Sequence, residues 1–364
     1  MSEEIRNRYS PDYVSIPGET LLDTINAIGM TQVELAQRMG RPKKKINEII
    51  AGKTAITPET ALQLERVLGI PASFWNNRES HYRESLAKEA EISHLTDQVK
   101  FSKKMPVQAM IKLGWIQYKQ DKIEQLKEIL NFFSVASIKQ WKNQWLTAEI
   151  AFRRSKAFKS APEAIAAWLR YGQIIAQRLE RNEYNSVRFG NVLDEIRKLT
   201  TQPPEVFQKE LIKICAECGV AIAFVPELPQ TRISGATYWL FKKPVIQLTL
   251  RYKTNDHLWF TFFHEAGHII LHGRRDVFIE EERVSDQKEK EADKFASDKL
   301  IPESKYKIFI SSRTFSKSAI RNFADDIGIA PGIVVGRLQH DGLIPHRNCN
   351  DLKIKLDWAS KETF

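Results

Sequence analysis

The sequence predicts a mainly α, multi-domain protein: an N-terminal all-α helix-turn-helix, a central helical region and a small C-terminal α+β domain. Three observations carry this. At 364 residues and 42.0 kDa the chain is too long for one ordinary domain. Apolar residues recur at helical spacing between glycine and proline stops along most of its length. Apolar runs of strand length are confined to about residues 220–250. The expected domains are therefore 1–90, 91–205 and 206–364.

Composition narrows the class. The chain is 42% hydrophobic and 27% charged, a globular balance that excludes general disorder. No apolar run approaches the roughly 20 residues of a membrane span, so no membrane partner is expected. Met1 to Arg6 shows no secretory pattern, and three cysteines cannot build a disulfide framework, so the expected location is cytoplasmic. The net charge of +10 divides as 0, +7 and +3 over the three regions, from 12, 19 and 24 basic and 12, 12 and 21 acidic residues. That excess permits nucleic-acid contact without establishing it.

The elements follow in order. Thr31 can cap a first short helix, with Glu34 at the capping-box position and Gly40 as its stop. A second runs from Arg41-Pro42 to about Ala51, ended by Gly52. Thr57-Pro58-Glu59 opens a third, which carries Ala61, Leu62, Leu64, Val67 and Leu68 to Gly69. The charged stretch Arg78 to Lys104 continues as helix and linker, and residues 105–200 are helix-rich. A break at Thr200 to Pro204 precedes a helix around Phe207–Cys218. Val220 to Val225 is a short buried strand, and Gly235 and Pro244 bracket further extended segments, of which Val245 to Leu250 is the clearest. Helical pattern resumes to about Leu338. Cys215 and Cys218 form a CxxC, but with only Cys349 left a four-cysteine zinc site is impossible, and they read as helix core.

The most informative stretch is Asp256 to Gly273, DHLWFTFFHEAGHIILHG. Asp256 can cap it, Gly273 can end it, and apolar residues surround it, so the helix should be buried. His264 and His268, at i and i+4, project from one face and can converge on one metal. Glu265 lies beside them, where it can take a proton from a water at that metal. Three titratable groups inside an apolar helix are costly unless something pairs them, which favours Zn2+ over a packing role. A catalytic zinc wants a third protein ligand. Arg274 occupies the position where one zinc-enzyme pattern would place a third histidine. A carboxylate from the next helix is the other route, and Lys288 to Ala296 offers Glu289 and Glu291, about 200° apart around a helix. Glu289 shares a face with Ala292, Asp293 and Ala296, small enough for close approach, and is the preferred ligand. Asp293 then becomes the carboxylate that orients His264 or His268. His272, four residues on, reads as helix-end packing.

From Gln32, the segment QVELAQRMGRPKKKINEII places Ala36, Gly40, Ile46 and Ile49 at helix-turn-helix spacing. The second helix then offers Lys43, Lys44, Lys45 and Asn47 to DNA, the lysines for phosphate and Asn47 for an adenine edge. Residues 317–338 echo the spacing through Ala324, Gly328 and Val334, but without exposed basic groups, and read as a packing hairpin.

Residues 15–80, through PGETLLDTI, GMTQVELAQRMG and INEIIAGKTAITPETALQLERVLGIPASFW, resemble the Xre-type helix-turn-helix of HigA/VapI-type antitoxins. Residues 206–303, through SGATYWLFKKPVIQLTL, FTFFHEAGHIILH and EKEADKFASDKLIP, resemble the ImmA/IrrE zinc metallopeptidase family. Phe262-Phe263 replaces the small apolar pair common before the family's HExxH, a change that should affect packing rather than chemistry. The resemblance implies a gluzincin-like site, with His264, His268 and Glu289 at ligand positions and Glu265 as general base. It implies a regulator that binds double-stranded operator DNA and cleaves a repressor-like protein in stress, mobile-element or toxin-antitoxin control; the helix-turn-helix spacing and Lys43 to Lys45 add the expectation of a homodimer on a palindromic site. The alternative is a HigA-like antitoxin and repressor that binds operator DNA and a toxin, with a structural or vestigial zinc site. Val245 to Leu250 would hold substrate if it lies at a sheet edge. Tyr238, Tyr252 and His272 are the candidates for stabilising an oxyanion.

Overall fold

Short helices with one apolar side and a glycine at their end build the N-terminal unit, Met1–Val99. The computed structural model describes residues 15–146, 162–231, 233–272 and 286–358. The unit holds α1 (Pro17–Ala27), α2 (Gln32–Arg38), α3 (Lys43–Ile50), α4 (Pro58–Leu68) and α5 (Ala72–Thr96). The Thr31 hydroxyl accepts from the Glu34 amide at 3.1 Å and starts α2. Gly40 then takes a left-handed φ of 64° that ends it. Thr57 caps α4 in the same way, and Gly69 closes it at φ 73°. Leu21, Ile25, Leu35, Ile46, Leu64 and Trp75 meet in the core, each buried aliphatic contributing about 1.5–3 kcal/mol. Gly18 in α1 lies against the backbone of Ile49 and Ile50, where any Cβ would overlap it. α5 begins at Ala72, earlier than the charge pattern suggests, because Pro71 starts it and buried Trp75 anchors its first turns. Glu79 ties it down, accepting from the Ile56 amide at 3.1 Å and Arg83 at 2.7 Å.

The second unit, Lys100–Phe364, is built around one three-stranded sheet. Before the sheet come α6 (Val107–Lys112), α7 (Lys122–Phe133), α8 (Ile138–Trp141), α9 (Pro162–Arg178), α10 (Ser186–Lys198) and α11 (Pro204–Glu217). The strands are β1 (Ala221–Phe224), β2 (Gly235–Leu240) and β3 (Lys243–Leu248), in the order β1-β3-β2. β1 runs parallel to β3 and β2 antiparallel to it. After them come α12 (Asn255–Gly267), α13 (Asp286–Leu300), α14 (Glu303–Ser311), α15 (Lys317–Ile327) and α16 (Pro331–His340). No described helix is long and apolar enough to cross a membrane.

Both sheet faces are covered, which draws the helices of 100–205 and the strands into one unit. On one face Trp168 of α9 donates to the Val225 carbonyl at 3.2 Å, and Gln247 of β3 donates to the Trp168 carbonyl at 2.7 Å. Gly172 leaves room for that glutamine, since a Cβ there would overlap its amide. α12 covers the other face, with Phe262 and Phe263 fully buried beside Ile246 and Leu248. Cys215 and Cys218 lie in this core, and burial pushes both thiols up.

Two expectations are corrected. β3, the segment expected to hold substrate at an edge, is the central strand and is paired on both sides. β1 is buried throughout, so among the described residues β2 is the more accessible edge. Asp256 does not cap α12: Thr254 occupies that position, and Asp256 sits buried in the first turn, 2.6 Å from Lys353 Nζ. The helix leaves α geometry at Gly267 and continues as a π-helical turn, His268–His272, while Gly273 lies outside the described residues. α15 and α16 form the expected packing hairpin, with Ile320, Ala324, Val334 and Leu338 buried.

Candidate metal centre and nucleic-acid interface

α12 and α13 approach closely because the contact is made of small residues. A Cβ on Gly267 would stand 3.3 Å from Ala292 Cα, and Ala292 and Ala296 are fully buried. This contact sets the carboxylates of α13 opposite the histidines of α12. His264 Nε2 and His268 Nε2 lie 3.0 Å apart, and Glu289 reaches them at 3.3 and 3.6 Å through its two oxygens. Among the described residues these three form a donor cluster that could hold a metal. Three ligands about 2.05 Å from a tetrahedral zinc are separated by about 3.3 Å, so the spacing found here fits that ion.

The surroundings also favour positive charge. Burial opposes charge on His264, but Asp293, Glu289 and Glu265 outweigh it and raise the imidazole to about 10. Hydrogen bonds from His264 and His268 hold the Glu289 carboxyl far below the usual carboxylate range. Asp293 Oδ1 is 2.8 Å from His264 Nδ1, the nitrogen turned away from the cluster. Both carboxylates remain more than half exposed, so the cluster is open to solvent on the α13 side.

Glu265 is buried beneath the histidines, next to β2. The Thr237 hydroxyl donates to its main-chain carbonyl at 3.1 Å. A Cβ on Gly235 would stand 2.9 Å from Glu265 Oε1 and 2.5 Å from Thr261 Cγ2, so only glycine leaves this carboxylate its space. Sequence reasoning missed that role for Gly235; the strand's alternation carries the signal only once its partner helix is known. His272 is likewise more than helix-end packing. Its Nδ1 meets His268 Nδ1 at 3.0 Å, and its Nε2 meets Glu291 at 3.2 Å. The signal for it was the repeat of the i, i+4 histidine spacing.

The oxyanion candidates fare differently from expectation. Tyr238 points to the opposite sheet face, where its hydroxyl donates to Gln247 Oε1 at 3.0 Å, and burial pushes its pKa up. Tyr252 stacks on His257 with ring centroids 4.2 Å apart, and His257 lies about 10 Å along α12 from His264 at 1.5 Å per residue. His272 is engaged by His268 and Glu291.

In the other unit, Lys43 and Lys44 open α3 and are exposed, as is Asn47 one turn later. Lys45 is half-buried and lies 3.6 Å from Glu48. Arg41 is held to Gln63 and Glu59 of α4. The first turn of α3 carries three lysines and no acid, although cations at a helix N-terminus cost about 0.3–1 kcal/mol each. This placement does not serve stability; a bound phosphate would relieve it.

Residues 25–75 match the helix-turn-helix family, and residues 216–333 match the IrrE N-terminal-like domain. Virulence-associated protein A of Dichelobacter nodosus is 31% identical over 84 residues, which cover 23% of this chain and 78% of that protein. Among solved structures, a HigA-family addiction module antidote protein from Coxiella burnetii is 26% identical, with a TM-score of 0.22 over 23% of this chain and 92% of its own. A plasmid maintenance system antidote from Nostoc punctiforme is 24% identical, with a TM-score of 0.22 over 24% of this chain and 93% of its own. The chain thus belongs to the Xre-type helix-turn-helix family and carries, behind that domain, a region similar to the IrrE/ImmA peptidase family.

Proposed function

We propose that this protein is a cytoplasmic, DNA-binding transcriptional regulator whose second unit is a zinc-dependent endopeptidase that cleaves a repressor-like protein. The observation that carries the reading is the convergence of His264, His268 and Glu289 at tetrahedral spacing beside a buried Glu265. Zinc bound there supplies Lewis acidity toward water and a peptide carbonyl. His264, His268 and Glu289 hold it, and Asp293 orients His264 through Nδ1. Glu265 takes the proton of the attacking water and returns it to the leaving amine. Substrate lies extended along the edge of β2 that no described strand pairs, whose first residue, Gly235, leaves Glu265 its space. An edge strand accepts only a segment that can extend, so the target is a flexible linker or an exposed loop of the partner.

A HigA-like antitoxin that binds a toxin around a structural zinc is the rival. A structural zinc site is closed by four protein ligands, whereas the described cluster has three and faces solvent. In the host, wild-type protein should shorten one regulatory protein under stress, followed by immunoblot, and a membrane-permeant zinc chelator should prevent it. A chelator that leaves cleavage unchanged points to another protease.

The first unit binds duplex operator DNA, as a dimer on a palindromic site, through Lys43, Lys44, Lys45 and Asn47. Each phosphate contact contributes about 0.9 to the slope of log affinity against log salt. Replacing the three lysines by alanine should lower that slope by about two per protomer, because Lys45 already has Glu48 as a partner. An unchanged slope, measured by fluorescence anisotropy over a salt series, would move the phosphate contacts elsewhere.

A further inference from the structure

We infer that His272 and Glu291 form a relay that fixes the ring tautomer of His268 and thereby sets how tightly the site holds zinc. The inference rests on the zinc reading of His264, His268 and Glu289 and deepens it. It starts from an irregularity of the helix. α12 gives way at Gly267 to the π-helical turn His268–His272, which ends with the His272 side chain 6% exposed between two polar neighbours. Single π turns inside helices recur at functional sites because they re-aim a side chain without breaking the helix.

For a neutral His272, the contact with Glu291 selects one proton arrangement. Its Nε2 lies 3.2 Å from Glu291 Oε2, and an ionised carboxylate only accepts, so Nε2 carries the hydrogen. A neutral His272 then has a bare Nδ1. That atom lies 3.0 Å from His268 Nδ1, which must therefore be the donor. With its proton on Nδ1, His268 turns Nε2 toward the metal position, 3.0 Å from His264 Nε2 and 3.6 Å from Glu289 Oε1, where zinc would replace any proton. The opposite arrangement would turn a lone pair of His272 toward the carboxylate and aim an N–H of His268 into the metal position. The contact with Glu291 disfavours it, and only a bare Nε2 on His268 can bind zinc.

The two histidine ligands are thus held by different routes. His264 meets the carboxylate of Asp293 directly at 2.8 Å. The outer nitrogen of His268, Nδ1, reaches a carboxylate through a second imidazole. Glu291 is itself placed by Gln287 Nε2, which donates to its Oε1 at 2.9 Å. Its side chain is 45% exposed, so it acts by orienting His272 rather than by a strong field. Glu291 and Glu289, two residues apart on α13, therefore divide the work: Glu289 enters the cluster and Glu291 stays outside it as a positioning residue.

The test uses the full-length protein with 15N-labelled histidine. Zinc affinity is measured by competition with a chelator of known affinity, for wild type, Glu291→Ala, Glu291→Gln and His272→Phe. Loss of an outer hydrogen-bond partner weakens metal binding by about 10–100-fold, and that is the loss expected for Glu291→Ala and His272→Phe. Glu291→Gln should restore most of it, since an amide oxygen still accepts from Nε2–H. In the zinc-loaded wild type, imidazole 15N shifts should show His272 protonated on Nε2 and His268 on Nδ1. In Glu291→Ala, His272 should become a mixture of tautomers. Glu291 lies on the surface of α13, so its replacement tests the relay even if His272→Phe folds poorly. A wild-type His272 protonated on Nδ1, or zinc affinity within twofold of wild type in both Glu291→Ala and His272→Phe, overturns the relay and leaves the zinc site standing. A wild type that binds no zinc removes the reading beneath it.

Discussion

Glu265→Gln should lower proteolysis by about 10²–10⁴-fold, the usual contribution of a general base, while zinc content and DNA binding stay at wild-type levels. Gln has the size and hydrogen-bonding reach of Glu but cannot take a proton at neutral pH. The fold should tolerate the exchange. Glu265 is buried, but the hydrogen bond it accepts from the Thr237 hydroxyl goes to its main-chain carbonyl, which the substitution leaves in place. None of the distances that define the donor cluster involves Glu265. The helix-turn-helix belongs to the other unit. Immunoblots of the partner repressor and any toxin in stressed cells provide the readout. If wild type and Glu265→Gln leave every partner equally intact and regulate identically, the peptidase reading loses to the antitoxin reading. Zinc would then serve folding alone.

Gly235→Ala should produce nearly as large a loss by a different route. The new methyl would stand 2.5 Å from Thr261 Cγ2, 2.9 Å from Glu265 Oε1 and 3.1 Å from Glu265 Cγ. Those contacts are too short to persist, so either β2 or the Glu265 side chain must shift. Misplacing a catalytic group by about 1 Å costs on the order of 10²-fold in rate. Overpacking also costs about 1–3 kcal/mol of stability, which urea denaturation would register. Zinc content should fall little, because the three ligands sit on α12, its π-helical extension and α13, away from the new methyl. A variant with full activity would show that Glu265 does not act from its place against β2.

The sequence made the helices of the site legible because their signals are local. The i, i+4 histidines, the caps at Thr31 and Thr57, and the small face of Ala292 and Ala296 can all be read within a few turns. Reading that face leads to Glu289, and the structure puts Glu289 rather than Glu291 against both histidines. What stayed hidden depends on long-range pairing. Val245 to Leu250 reads as a strand, but its central position follows from β1 and β2 pairing on either side of it. Tyr238 and Gly235 occupy opposite faces of β2, and only the positions of α9 and α12 tell which face meets the metal ligands. The π-helical turn leaves no composition signal, so His272 reads as an ordinary helix end.

Zinc content per chain is the most direct measurement of the central claim. Full-length protein purified without added metal should carry about one zinc, by elemental analysis, as one three-ligand site with an open position requires. His264→Ala and Glu289→Ala should each lose it after dialysis, whereas Glu291→Ala should keep it at stoichiometric zinc while binding it more weakly. Full zinc in Glu289→Ala together with loss in Glu291→Ala would contradict the ligand set, and a wild type without zinc would contradict the metal centre itself.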